Sequence, residues 1–382
     1  MRVGLFTNNY LPFRGGVTTA VETLRQGLTA LGHDTWIFAP GSRAPIDDAP
    51  GVFRYPAVPA PTYPGFSLAL PVSRRLARLA RSLALDVVHA HHPFLLGVTA
   101  RRLARRFGRP LVFTYHTRYE KYAHYVPLPQ RFVAALAVRL ACRFARSADL
   151  VVAPSEHMAA TLALRGVRTP MAVVPTGVPL DVFSPGDREQ ARRTLGLSGD
   201  PLCLYVGRLD REKSVERVLD AFATIAGAIS NCRLWLVGQG THEAALCARA
   251  ALNPAGDRIR FCGGLEREAL AVYYRAADLF LFASETETQG LVLAEAHATG
   301  LPAVAVRASG VDEVVRDGES GLLTKADAGE LADAAIGLLL DPERRVAMGR
   351  AARRIVEAHF SAARQVELMA EQYGRLDARR RR

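Results

Sequence analysis

Short, uninterrupted apolar runs separated by helical stretches are the feature that most restricts how this chain can fold. The first is Arg2-Val3-Gly4-Leu5-Phe6-Thr7. A polar, glycine-bearing loop follows over 8–16, then a helix over about 17–31 ended by Gly32-His33-Asp34, then a run beginning Trp36-Ile37-Phe38. Strand, loop, helix, strand is the βαβ unit of a parallel sheet. The pattern repeats at 86–90, 110–115, 149–153 and 171–175. These runs do not alternate polar with apolar residues, as expected of strands covered by helices on both faces.

Residues 179–199 are rich in Pro, Gly and Asp and read as a linker. A second series then begins at 202–206 and continues at 234–237, 259–262, 279–282 and 303–306, with helices near 213–228, 266–276 and 291–300. The fold class is therefore α/β, with two Rossmann-like doubly wound domains expected to face a central cleft that takes a ligand. A length of 382 residues suits two such domains.

The net charge of +12 is concentrated at the front: residues 1–146 hold 20 Lys/Arg against 6 Asp/Glu, and the remainder holds 29 against 31. A basic surface suits nucleic acid, anionic lipid or a phosphorylated small molecule. Arginines recur at face-forming spacing at 74, 75, 78 and 81, at 101, 102, 105 and 106, and at 131, 139, 143 and 146. The last set is expected opposite an apolar stripe of Phe132, Leu136, Leu140 and Phe144, a pattern able to lie on an anionic bilayer. No recognised nucleic-acid motif or basic–aromatic interleaving is present, so a nucleic-acid partner is not expected. Five cysteines, an odd number without a C-x-x-C pair, support neither a disulfide scaffold nor a zinc site and fit a reduced, cytosolic compartment. The opening residues lack a signal-peptide core and no apolar stretch reaches spanning length, so membrane contact is expected to be peripheral. Nothing in the sequence specifies an oligomeric state.

Several loops carry candidate chemistry. Gly15-Gly16 lies between the first strand and its helix, where small residues let backbone approach an anion; a simple tight turn is the alternative. Arg208 and Lys213 bracket the first strand-to-helix turn of the second series, where two cations suit a departing diphosphate; solvated surface charge is the alternative. Glu287 precedes a helix and Glu295 falls inside its apolar second turn, so a ligand hydroxyl or a helix-capping network must account for them. His116 follows a strand at a loop mouth. His89, His91 and His92 also cluster at a strand end, but no carboxylate or cysteine completes a metal set. There is no G-x-S-x-G elbow for a serine hydrolase.

Taken together, these residues resemble the retaining glycosyltransferases of family 4, which have the two-Rossmann GT-B architecture. The resemblance covers nearly the whole chain: Glu287 and Glu295 match the E-x7-E pattern, followed by Gly300-Leu301-Pro302, Ser309-Gly310-Val311-Asp312-Glu313 and Asp317-Gly318. Arg208 and Lys213 match the family's diphosphate cations, Gly15-Gly16 its N-terminal loop and His116 its acceptor-side histidine. Thr176 departs from the pattern, since relatives commonly have Asn there. His91-His92-Pro93-Phe94, the stretch from Tyr115 to Glu120 with Tyr125-Val126-Pro127, and Thr288-Gln289 after Glu287 look most like the diacylglycerol glucosyltransferases and phosphatidylinositol mannosyltransferases.

The resemblance implies an enzyme that moves a hexose from a nucleotide sugar, UDP-glucose before GDP-mannose, to a lipid acceptor such as diacylglycerol. The alternatives are a soluble acceptor or a non-catalytic binding module. His116, Arg208, Lys213 and Glu287 are implied as catalytic, and Gly15, Gly16, Gly207, Gly290, Leu291 and Glu295 as nucleotide-sugar-binding. Tyr119, Arg139, Arg143 and Arg146 are assigned to the acceptor and membrane side. No resident cofactor or metal is implied. A peripheral place on the inner face of the cell membrane is expected. The domains would be 1–178, completed by a returning helix over 358–378, and 200–357.

Overall fold

The computed structural model describes residues 1–13, 15–42, 47–60, 66–125, 128–197 and 199–381. Val126-Pro127, quoted in the motifs above, lies outside the described residues.

The chain forms two compact units, one of Met1–Gly177 with Ala362–Arg382 and the other of Val178–Ser361. The strands of the first are β1 (Arg2–Phe6), β2 (Asp34–Pro40), β3 (Val52–Tyr55), β4 (Ala57–Pro59), β5 (Ser67–Ala69), β6 (Val87–Ala90), β7 (Leu111–Thr114), β8 (Leu150–Ala153) and β9 (Met171–Val173). Seven of them form one parallel sheet in the order β3-β2-β1-β6-β7-β8-β9, while β4 and β5 pair antiparallel beside it in sequence. Successive side chains on β1 leave opposite faces, so Val3 and Leu5 enter one core and Phe6 the other. The helix Ala362–Arg381 closes the first of these cores with Val366, Met369 and Tyr373, all buried. Each such burial is worth about 1.5–3 kcal/mol. It packs on the helix Gly16–Ala30 at Gly27, where a Cβ would stand 2.2 Å from Val366 Cγ2.

In the second unit β10 (Leu202–Val206), β11 (Arg233–Val237), β12 (Ile259–Phe261), β13 (Leu279–Phe282), β14 (Ala303–Val306) and β15 (Gly321–Thr324) are all parallel, in the order β12-β11-β10-β13-β14-β15. Both sheets therefore run outward one way from their first strand and then restart on its other side. That doubly wound order leaves a crevice at the carboxyl ends of β1 and β6, and another at those of β10 and β13.

Residues 179–199, expected as a linker, are instead part of the second unit. Phe183 is fully buried in its core, Arg188–Thr194 is helical, and the Arg192 guanidinium bonds the carbonyls of Ala276 and Asp200. The Pro, Gly and Asp content marks turns within a packed segment. β3, β15 and the β4–β5 pair were not expected from the sequence.

Candidate active site

In the second unit the crevice is built from the loops after β10 and β13. Gly207, at φ +157, turns the chain out of β10, and Tyr205 Oη donates to the Arg208 carbonyl at 3.2 Å. The Arg208 guanidinium then reaches two carboxylates, Asp210 and, at 2.6 Å, Glu212. Asp210 is buried and also accepts from Thr241, at 2.7 Å from its N–H and 2.8 Å from its hydroxyl. A short 3₁₀ turn, Arg211–Lys213, ends at Ser214 with φ +50 before the helix Val215–Ala228 begins. Lys213 thus projects from a bend ahead of a helix N-terminus and donates to Glu287 Oε1 at 2.6 Å. Thr286 Oγ1 donates to the Glu212 carbonyl at 3.2 Å, a second stitch between the two loops.

Glu287 is therefore not the cap of the following helix. Burial alone would raise its carboxyl, but the Lys213 charge and hydrogen bond, with help from Ser284 and Arg208, hold it below the ordinary glutamate range. It is ionised at neutral pH. The helix Leu291–Ala298 is capped by Gly290 at φ +78 with no side-chain cap, and Leu291 opens it. The loop after β14 lies against this turn: a Cβ on Gly310, at φ +80, would meet the Gln289 nitrogen at 2.7 Å. Glu295 sits deeper and is buried, accepting a hydrogen bond from Tyr274 Oη at 3.1 Å. Burial pushes its carboxyl up to about 7, against the Arg267 charge and the Tyr274 hydrogen bond. Tyr274 and Thr241 are site neighbours that sequence reasoning missed. Neither has a motif, because sheet order alone brings them in.

In the first unit the corresponding loops follow β1, β6 and β7. Asn8 anchors the first two: its N–H donates to His92 Nδ1 at 3.1 Å, its amide to the Phe94 carbonyl at 3.1 Å, and its Oδ1 accepts from the Leu96 N–H at 3.1 Å. Gly97 allows this packing, since a Cβ there would stand 1.7 Å from the His92 carbonyl oxygen. Gly97→Ala should destabilise the full chain by about 1–3 kcal/mol, the usual range for overpacking; thermal unfolding checks this. His116 lies just past β7 with Nε2 2.9 Å from His91 Nδ1. His89 lies within β6, hydrogen-bonded to Tyr373 Oη at 2.6 Å and Thr114 Oγ1 at 2.7 Å. Burial lowers all four imidazoles, His89 and His92 to about 3, His116 to about 4 and His91 well below its ordinary value, so they are neutral. The histidines thus engage one another and their neighbours separately, and among the described residues no cluster suits a metal ion. Gly15 and Gly16 open the helix Gly16–Ala30, and a Cβ on Gly16 would meet nothing within 4 Å.

The helix Gln130–Ala145 departs from expectation in an informative way. Phe144 is core, edge-on to Phe113 at 4.9 Å. Phe132, Leu136 and Leu140 are 62%, 42% and 42% exposed, and they interleave with exposed Arg131, Arg139 and Arg143 on one face rather than opposing them. The 3.6-residue period puts Ala141, Cys142, Phe144 and Ala145 toward the core and leaves Phe132, Leu136 and Leu140 outside it. Arg146 is tied down, donating to the carbonyls of Arg165 and Gly166 at 2.9 Å each. Tyr119 packs edge-on against Phe94 and Tyr115. Arg101, on the helix Leu96–Phe107, is held below the ordinary arginine value by burial and then by the charges of Arg105, Arg143 and Arg102, so the two helices share one cationic patch. Among the described residues no helix is long and apolar enough to cross a membrane.

Two family models match, Glycosyltransferase Family 4 over residues 14–182 and Glycosyl transferases group 1 over 187–355. The chain is 32% identical over 336 residues to alpha-monoglucosyldiacylglycerol synthase of Acholeplasma laidlawii, covering 84% of each chain. It is 33% identical over 369 residues to the GDP-mannose-dependent alpha-mannosyltransferase of Mycolicibacterium smegmatis, covering 94% of this chain and 93% of the relative. The sucrose-phosphate synthase structure from Thermosynechococcus elongatus superposes with a TM-score of 0.84 at 26% identity over 99% of each chain. Two parallel Rossmann-like units, with cations and carboxylates gathered at the switch point of the second, agree with these matches: the chain belongs to glycosyltransferase family 4, with the GT-B fold, and is a nucleotide-sugar-dependent glycosyltransferase.

Proposed function

We propose that the chain is a retaining hexosyltransferase that moves glucose from UDP-glucose to a membrane lipid such as diacylglycerol, working peripherally at the inner face of the cell membrane. The observation that carries the lipid reading is the helix Gln130–Ala145, whose Phe132, Leu136 and Leu140 stand in solvent among Arg131, Arg139 and Arg143. Apolar groups at that exposure suit insertion at the headgroup level, and the arginines suit anionic lipid, at about 1 kcal/mol for each cation near the surface. The similarity to a protein named alpha-monoglucosyldiacylglycerol synthase supports the same acceptor and donor sugar.

The chemistry assigned to the second unit is leaving-group stabilisation. The bond from the anomeric carbon to the β-phosphate oxygen breaks, the acceptor oxygen bonds that carbon on the same face, and the acceptor proton passes to the departing phosphate. Arg208 and Lys213 meet the charge that grows on that phosphate, which raises rate rather than ground-state affinity. Glu287, ionised and fixed by Lys213, accepts from sugar hydroxyls, and Gly290 and Leu291 offer backbone at the helix start. Glu295 takes the ribose hydroxyls, and Gly207 keeps backbone close to the nucleotide.

Vesicle co-sedimentation combined with transfer of labelled glucose tests this reading. Binding should rise with anionic-lipid content, fall with salt, and weaken at least about tenfold when Phe132, Leu136, Arg139 and Arg143 are replaced by Ser. UDP-glucose affinity should stay unchanged. Indifference to anionic vesicles at low salt would overturn the lipid reading and move a soluble sugar or sugar-phosphate acceptor ahead. The similarity to a sucrose-phosphate synthase supports that second reading.

A further inference from the structure

We propose that the second unit carries a separate site for a phosphate monoester, in a cavity at the amino-terminal ends of β13 and β14. The cavity has a volume of about 390 Å³, within the usual range for small-molecule sites. Three arginines line it, Arg188, Arg275 and Arg345, together with one carboxylate, Asp278. Asp278 stands immediately before β13, and Pro302, also in the lining, immediately before β14. The crevice with Arg208 and Lys213 opens at the carboxyl ends of β10 and β13. The two sites therefore occupy opposite edges of one sheet.

Charge points to the ligand class. The second unit as a whole is acidic, with 21 Lys/Arg against 26 Asp/Glu over 178–361. The cavity runs against that balance: three guanidiniums and one carboxylate leave two positive charges in excess. A phosphate monoester carries a charge of about −1.5 to −2 at neutral pH and offers three oxygens to arginine forks. Asp278 itself does not call for so many cations. It is buried, and its Oδ2 accepts from the Leu202 N–H at 2.9 Å and faces Arg192 at 3.4 Å. Its Oδ1 accepts from Arg188 at 2.7 Å, and Arg345 stands farther off at 3.5 Å.

The guanidiniums are held in place before a ligand arrives. Arg188 donates to the Ala277 carbonyl at 2.9 Å, and Arg345 to the carbonyls of Leu338 and Leu339 at 2.9 and 2.6 Å. Arg275 donates to the carbonyls of Val182 and Ser184 at 2.8 Å each. It spends Nε and Nη2 on these bonds, which leaves Nη1 for an anion. Fixing the charged side chains beforehand removes much of the ordering cost of binding. Leu301, Pro302 and Val346 supply an apolar wall, which suits the carbon skeleton of a small phosphorylated compound.

The experiment is calorimetric titration of the full chain with phenyl phosphate, with and without saturating UDP. One equivalent should bind in either case. Val346→Trp fills the cavity from a position that is 54% exposed and removes no arginine, while Arg188→Ser removes one cation. Each should weaken phenyl phosphate binding at least about tenfold and leave UDP affinity unchanged. Absence of binding, displacement by UDP, or equal affinity in the wild type and Val346→Trp overturns the proposal. Should Arg188→Ser fail to fold, Val346→Trp still decides. Vesicles of phosphatidic acid, set against phosphatidylglycerol at matched surface charge, identify the source of the ester. Displacement of bound phenyl phosphate by the first alone names a lipid headgroup, and no displacement by either names a free ester.

Discussion

Lys213→Met and Arg208→Ala should each lower turnover by at least about a hundredfold, the scale of losing one preorganised contact to developing charge. The geometry makes the control specific. Lys213 is ion-paired with Glu287, and the two side chains are 12% and 16% exposed. Removing the lysine alone leaves a nearly buried carboxylate without its main partner, which costs about 3–5 kcal/mol in comparable pairs and raises the Glu287 carboxyl. A loss of activity in Lys213→Met could then reflect a disturbed loop. The double variant Lys213→Met with Glu287→Gln removes both charges, so it should recover most of the stability but none of the turnover. Steady-state kinetics and chemical denaturation on the three proteins separate the two effects. Turnover near wild type in both single variants would sink the leaving-group assignment.

The second large effect is a pH dependence centred on Glu295. Its carboxyl stands at about 7 in the folded chain against an ordinary 4.5, with burial the largest cause. Between those values the folded state keeps a proton that the unfolded state has released. The stabilisation is therefore complete below about pH 4.5 and is lost as pH rises through about 7, by roughly 3 kcal/mol. Glu295→Gln should flatten that part of the stability curve. Donor binding should show the linked behaviour. Ribose hydroxyls donate better to a carboxylate than to a neutral acid, so UDP-glucose should bind more tightly as pH rises through 7 and release a proton on binding near neutrality. Calorimetry in buffers of different ionisation heat reads that proton directly. Equal proton release by wild type and Glu295→Gln would move Glu295 to a purely structural role.

What could be read in the sequence, and what could not, follows from the range of the forces involved. Fully buried strands such as Leu202–Val206 and Leu279–Phe282 are continuous apolar runs, so the chain itself announces them. β4 and β5, each three residues with partly polar or proline-bearing strings, have no such signal and exist because they pair with one another. Within the second crevice, Asp210 and Glu212 stand two and four residues after Arg208, so the pairing of that arginine is local. The Lys213–Glu287 bridge spans 74 residues and depends on β10 lying beside β13. The exposed face of Gln130–Ala145 differs from the expected two-stripe pattern because Phe144 turns into the core with Ala141, Cys142 and Ala145, which leaves Phe132, Leu136 and Leu140 among the arginines. Tyr373 beside His89, 284 residues away, had no precursor in any local pattern.

That last contact bears on how the chain is made. The first unit is assembled from two stretches, Met1–Gly177 and Ala362–Arg382, with the whole second unit encoded between them. During synthesis the second unit is contiguous and can close as soon as Ser361 has emerged. The first-born sheet must wait with one apolar face covered only in part, by Val21, Leu24 and Leu28, until Val366, Met369 and Tyr373 arrive. The usual vectorial order, amino-terminal domain first, is thereby reversed at its final step. A chain ending at Ser361 and released from the ribosome should hold a protease-resistant second unit and a sensitive first one.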